Sequence, residues 1–185
     1  RTEPGAGAAD VIDLMGRTCF EARNVAAAAK LLVRMMEGGD TIWLGISGAG
    51  IAGGMGGLVS QLIDHGAIDA ICSTGAQIYH DLHFAFGLPV KAISPHGDDD
   101  QLRAHGDTRI YDIGIREVET LEAQDTIVCD FIRREYDALG GRPLSSPAFT
   151  HRLGQWVQRN APHPERSFTV AAAAAGVPLF WDSHT

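Results

Sequence analysis

Residues 41–81 read TIWLGISGAGIAGGMGGLVSQLIDHGAIDAICSTGAQIYHD, and the alternation within them decides the fold. An apolar run at 41–46 leads into a loop with glycines at 48, 50, 53, 54, 56 and 57. A helical pattern follows at 58–65, with Leu58, Val59, Leu62 and Ile63 on one face. A second apolar run at 68–72 ends in Ser73, Thr74, Gly75 and Ala76. Strand, glycine loop, helix, strand and small-residue turn, in that order, predict a parallel sheet within an α/β fold. Both small-residue segments then fall at the carboxyl ends of strands, where open α/β sheets bind their ligands.

Working outward, residues 78–86 carry a helical period and Gly87 stops it. The Thr74-Gly75 turn therefore sets backbone N–H groups at a helix N-terminus, a geometry that receives anions such as a pyrophosphate. Upstream, residues 11–36 read as helix, with Gly16 or Thr18 able to split it and Gly38-Gly39 ending it; residues 1–9 read as a loose lead-in. Downstream, Asp98, Asp99 and Asp100 cannot share one face of a helix or strand, so they read as an acidic loop or helix start ahead of a short helix at 101–105. An extended piece at 109–115 continues into a long helix at 117–139. Ser146 is a candidate N-cap with Pro147 in the first helical position, opening a helix at 148–160. A polar loop, an alanine-rich helix at 167–175 and a third apolar strand at 177–181 complete the chain.

Composition narrows the function classes. The chain has 185 residues, 45% of them hydrophobic and 21% charged, enough for one domain with a real core or part of a larger protein. A formal net charge of -8 argues against non-specific binding to nucleic acid or anionic membranes. No run reaches the roughly 20 apolar residues of a membrane span, and the N-terminus has no signal-peptide pattern. Cys19, Cys72 and Cys129 lie in separate apolar elements without metal-like spacing. They are expected to be buried free thiols in a reducing compartment, and the chain to be cytoplasmic.

The candidate chemistry is sparse. Gly48-x-Gly50-x-x-Gly53 fits a dinucleotide fingerprint by letter, but Ser73 stands where a ribose-binding acid is expected, and close packing at a tight turn explains the glycines equally well. Ser73 through Ala76 offers hydroxyls and N–H groups that serve either an anion or a plain helix cap. His80 and His83 are three apart on a helix, with no third metal ligand at fixed spacing; His80 reads as a hydrogen-bonding group in a pocket and His83 as a surface residue. No metal site is expected. Neither of the two lysines, Lys30 and Lys91, sits where a nucleophile is expected, and no serine occupies a nucleophile elbow. No catalytic residue is therefore assigned.

The order of four pieces is more specific than any one of them: the stretch 41–82, LRAHGDTRIYDIGI, LSSPAFTHRLGQWV and RSFTVAAAAAGVPLFWDSHT. In that order the chain resembles the deoxyhypusine synthase family, especially its bacterial deoxyhypusine-synthase-like branch, over its N-terminal half. The resemblance implies a Rossmann-like parallel sheet with helices on both faces, incomplete at the C-terminus. It divides the chain into a helical segment at 1–40 and a partial NAD-binding region at 41–185. It also implies a homotetramer that oxidises an amine with NAD and passes an aminobutyl group through an imine on a lysine. Carried over by position, Ser47, Gly48 and Ala49 would contact the cofactor, and Thr74, Gly75, Ala76 and Gln77 match the family's Thr-Ala-Gly-Gly turn for backbone contacts, with Ser73 beside them as a further cofactor-binding candidate. His80 and Asp81 would face the substrate. Family members carry Ser-Asn where this chain has Gly48-Ala49, and a substrate-handling glutamate where it has His80, which removes a charge that attracts a polyamine. Members are longer, and the rest of the NAD site, the acidic amine pocket and the catalytic lysine are expected in the part that would follow Thr185. The expected function is thus the N-terminal part of an NAD-dependent transferase acting on a polyamine or related amine. Self-association or a second chain would supply the rest, with no nucleic-acid or membrane partner. The alternative is a non-catalytic subunit of a heteromer.

Overall fold

The computed structural model describes residues 7–182. By contact density the chain falls into two compact units, residues 1–42 and residues 43–185, taken separately below.

In the first unit the predicted helix is broken, as its Gly16 and Thr18 allow. Helix α1 is Ala8–Met15 and α2 is Phe20–Gly38. Asp10 accepts from the Gly7 N–H at 2.9 Å, satisfying one of the donors that a helix start leaves unpaired. Gly39 closes α2 with φ 70°, a left-handed cap that glycine adopts without strain. Lys30 on α2 pairs with Asp13 on α1 at 2.7 Å.

In the second unit the three apolar runs of the sequence become one parallel sheet. Strand β1 is Trp43–Gly45, β2 is Ala70–Ser73, and β6, at the end of the chain, is Leu179–Trp181. Their order is β1-β2-β6, with Leu44 beside Ile71 and Ile71 beside Leu179. Helices flank the sheet: α3 (Gly56–Asp64), α4 (Gly75–Phe86), α6 (Ala123–Leu139), α7 (Ser146–Asn160) and α8 (Phe168–Ala175). Ile71, Leu82, Phe131, Val157, Phe168 and Leu179 form the centre of the core. Side chains alternate across a strand, so Leu44, Ile71 and Leu179 meet that core while Trp43, Gly45 and Cys72 are exposed. Trp43 and Phe180 stack with ring centroids 5.4 Å apart.

A second sheet departs from the sequence reading. The piece at 109–115 is not one extended segment but a hairpin. Strand β4 (Asp107–Ile110) turns back into β5 (Ile113–Arg116), and β3 (Val90–Ala92) pairs with β5 on its other side, all antiparallel. Tyr111 makes the turn with φ 53°, a conformation usually left to glycine or asparagine. Between β3 and β4, Asp98 caps the short helix α5 (Asp99–Ala104) by accepting from the Asp100 and Gln101 N–H groups at 3.0 and 3.2 Å. Asp99 pairs with Arg109 at 2.6 Å. The long helix also differs: residues 117–122 are wound as a π-helix before α6 begins. The three cysteines are free thiols but exposed, correcting the expectation of burial. Cys72 shows why: it lies on the sheet face away from the core.

Candidate functional site

The glycine loop and the turn after β2 are brought together by one side chain. Gln77, on the first turn of α4 and fully buried, donates from Nε2 to the Gly48 carbonyl. Its Oε1 accepts from the Ile51 N–H at 3.4 Å. The loop after β1 is thus fastened to the start of α4, at the shared carboxyl edge of β1 and β2. Within the loop, Gly48 has φ 80°, and a Cβ built there would meet no atom within 4 Å, so its backbone faces open space. Ile51 and Ala52 are buried and anchor the loop's far side. Thr74 is the N-cap of α4, but no side chain caps the helix. The first N–H groups of α4 therefore have no side-chain acceptor, and Ser73 is largely buried beside them. Ser47, Gly48 and Ala49 lie on one loop of this edge, and Ser73, Thr74, Gly75 and Ala76 on the other. No acidic residue ends β2.

Past Gly75, a cavity of about 350 Å³ runs between α4, α6 and α7, walled by Ile78, Tyr79, Leu82, Phe149 and Trp181. The Tyr79 hydroxyl, 2.7 Å from the Asp125 carboxylate, donates to it; burial and this partner push the phenol well above its ordinary range.

Asp81, expected to face the substrate, has its carboxylate turned to the start of α8. It is fully buried, and its carboxylate accepts from the Ser167 hydroxyl at 2.5 Å and from the Phe168 and Thr169 N–H groups at 3.0 and 3.1 Å. These donors lie at the N-terminus of α8, where Ser167 Oγ also accepts from the Val170 N–H. A carboxylate there satisfies orphan donors and opposes the positive end of the helix dipole. Burial pushes the Asp81 carboxyl up to about 6, against the pull of these three donors.

The histidines are also rearranged relative to expectation. His83 is fully buried rather than on the surface. Its Nε2 lies 3.0 Å from His80 Nδ1, and its Nδ1 lies 2.6 Å from Gln124 Oε1 on α6. Gln124, also fully buried, donates its Nε2 to the Tyr79 carbonyl. Burial lowers both histidines, taking His83 to about 4, so the pair is neutral at pH 7. His80 is half-buried. The Gln77 side chain, His83, Gln124 and Ser167 were not singled out from the sequence as functional. Most of their partners lie between 26 and 86 residues away, where no local spacing points to them.

The sequence of the chain matches a known family. The sequence profile described as deoxyhypusine synthase covers residues 10–185, and the chain belongs to the deoxyhypusine synthase family. Similar proteins include one named probable deoxyhypusine synthase 2 from Methanosarcina mazei. It is 35% identical over 173 residues, spanning 92% of this chain and 48% of the relative. A deoxyhypusine synthase-like protein from Cyanothece is 34% identical over 180 residues, spanning 94% of this chain and 44% of that one. A crystal structure from Entamoeba histolytica, assigned to deoxyhypusine synthase, superposes with a TM-score of 0.66 at 16% identity. It covers 96% of this chain and 59% of its own, a likeness of fold. The chain spans about half the length of the curated relatives it matches. No helix among the described residues is long and apolar enough to cross a membrane.

Proposed function

We propose that this chain is the N-terminal part of an NAD-dependent, deoxyhypusine-synthase-like transferase acting on a polyamine or a related amine. The observation that carries the reading is the Gln77 tie, which holds the Gly48 loop beside the uncapped start of α4. The residues present fit the diphosphate of a dinucleotide. Gly75 and Ala76 offer N–H groups, Ser73 and Thr74 offer hydroxyls, and the open space at Gly48 lets backbone approach a ligand. Ser47, Gly48 and Ala49 would hold the cofactor by main-chain contacts, since neither Gly48 nor Ala49 has a polar side chain. NAD, when bound, supplies a hydride acceptor. His80 would receive the amine, and Asp81 would act at a distance, by fixing α8 against α4. Neither lysine belongs to these loops: Lys30 is on α2, paired with Asp13, and Lys91 is on β3. A covalent amine carrier would therefore come from outside these residues, in a cytoplasmic homotetramer of a longer chain or from a second polypeptide. The same absence favours a second reading, a non-catalytic subunit that binds nucleotide and assembles with an active partner.

Calorimetric titration with NAD tests the first reading. The chain should bind saturably, and Ala76→Asp should weaken binding at least tenfold, about 1.4 kcal/mol. That substitution suits a helix N-terminus, so the fold is kept while the diphosphate is repelled. Absence of saturable binding, or unchanged binding by Ala76→Asp, overturns it. A stable heteromer that shows no amine-dependent reduction of NAD would favour the second.

A further inference from the structure

One row of buried hydrogen bonds, from α6 to α4, is required neither by the sheet nor by the cofactor loops. Its direction can be read from the end that has no choice. The Tyr79 carbonyl can only accept, so Gln124 must turn its NH2 toward it. Gln124 Oε1 then faces His83 Nδ1 at 2.6 Å, and an amide oxygen also only accepts, so His83 carries its proton on Nδ1. A neutral His83 has a lone pair on Nε2, which lies 3.0 Å from His80 Nδ1, and His80 must donate there. Each step fixes the next, and the ring nitrogen then left without a partner among the described residues is Nε2 of the half-buried His80.

We propose that this row locks His80 as a neutral imidazole protonated on Nδ1, so that its bare Nε2 is a directional acceptor for the N–H of an amine or ammonium ligand. The amine rests on the function proposed above; the tautomer does not. The charged groups nearby leave the row alone: Asp81 is turned toward α8, and Asp125 is engaged by the Tyr79 hydroxyl. Among the described residues neither histidine has a carboxylate partner. Burial keeps both rings neutral at pH 7, as the row requires. The selectivity that follows differs from that of a carboxylate. A carboxylate attracts any cation through space, whereas a neutral nitrogen with one lone pair recognises only a ligand that brings it a hydrogen-bond donor, as an amine N–H does.

Long-range proton–nitrogen correlation spectra of the full 185-residue chain at pH 7 read this directly. His80 and His83 would be assigned with His80→Gln and His83→Gln. Both rings should appear as the Nδ1–H tautomer with an unprotonated Nε2. On titration with 1,4-diaminobutane the His80 Nε2 resonance should move toward a hydrogen-bonded value, and tetramethylammonium, equally cationic but without an N–H, should leave it in place. His80 or His83 found as the Nε2–H tautomer overturns the row, whether or not the chain binds amines. The stated tautomers with no response to the diamine, in a chain that still binds NAD, overturn the ligand assignment and leave the cofactor reading standing. An equal response to tetramethylammonium also overturns it, since the site would then read charge alone. In Gln124→Leu, if the fold survives by circular dichroism, His83 should lose its single tautomer; a retained Nδ1–H form overturns the part given to Gln124.

Discussion

At the scale of the residue, Asp81 and His83 are both polar groups committed to the interior, and each has a distinct signature. Asp81→Asn keeps the shape but sets an NH2 against donors. It should destabilise the fold by about 3 kcal/mol in chemical denaturation, because a buried donor then loses a charged acceptor. A Cβ at Gly56 would lie 3.4 Å from Asp81 Oδ1, so little room exists for rearrangement around the substitution. His83 has its pKa lowered from 6.5 to about 4, so the folded state binds fewer protons than the unfolded chain between those values. Stability from a neutral His83 is full above about pH 6.5 and is lost as pH falls toward 4. The stability of the wild type relative to His83→Gln should therefore shrink across that window in urea titrations at successive pH values, with Asp81 common to both proteins. The residues explain why this chemistry was hard to read from sequence. His80 and His83 were visible as a pair on one helical face, but burial neutralises them and the group that orients them is Gln124, 41 residues from His83. A glutamine in a long amphipathic helix announces nothing by itself.

At the scale of the element, the parallel strands and most helices were legible because their apolar residues repeat at the period of the structure they form. Residues 43–45, 70–73 and 179–181 fall within or beside the apolar runs that pointed to them. The β4–β5 hairpin was not legible, because its turn is Tyr111-Asp112, with neither glycine nor asparagine to mark it, and Ile110 and Ile113 flank it directly. Alternation in IGIR was the available signal. Helices α7 and α8 pack so closely that Gly154 is a contact point. A Cβ there would come within 2.5 Å of the Ala173 Cβ and 2.6 Å of the Thr169 carbonyl oxygen. Gly154→Ala should cost about 2 kcal/mol through forced separation of the two helices, seen as a lowered Tm, despite alanine's better helix propensity.

At the scale of the whole molecule, the three thiols report on accessible surface. Cys19, Cys72 and Cys129 should all react with a thiol reagent in the native protein, without denaturant. A Cys72 that reacts only after unfolding would mean that its face of the sheet is covered in solution. Family membership was legible because ordered segments along the chain carry it together. Asp81 adds a consequence in time. Its donors lie 86 to 88 residues later in the chain. At a synthesis rate of roughly 5–20 residues per second, the ribosome delivers them roughly 4 to 17 s after Asp81 itself. Through that interval the sheet edge that would hold a nucleotide exists only as a nascent, chaperone-accessible segment. It becomes a finished surface when α8 arrives and takes the carboxylate.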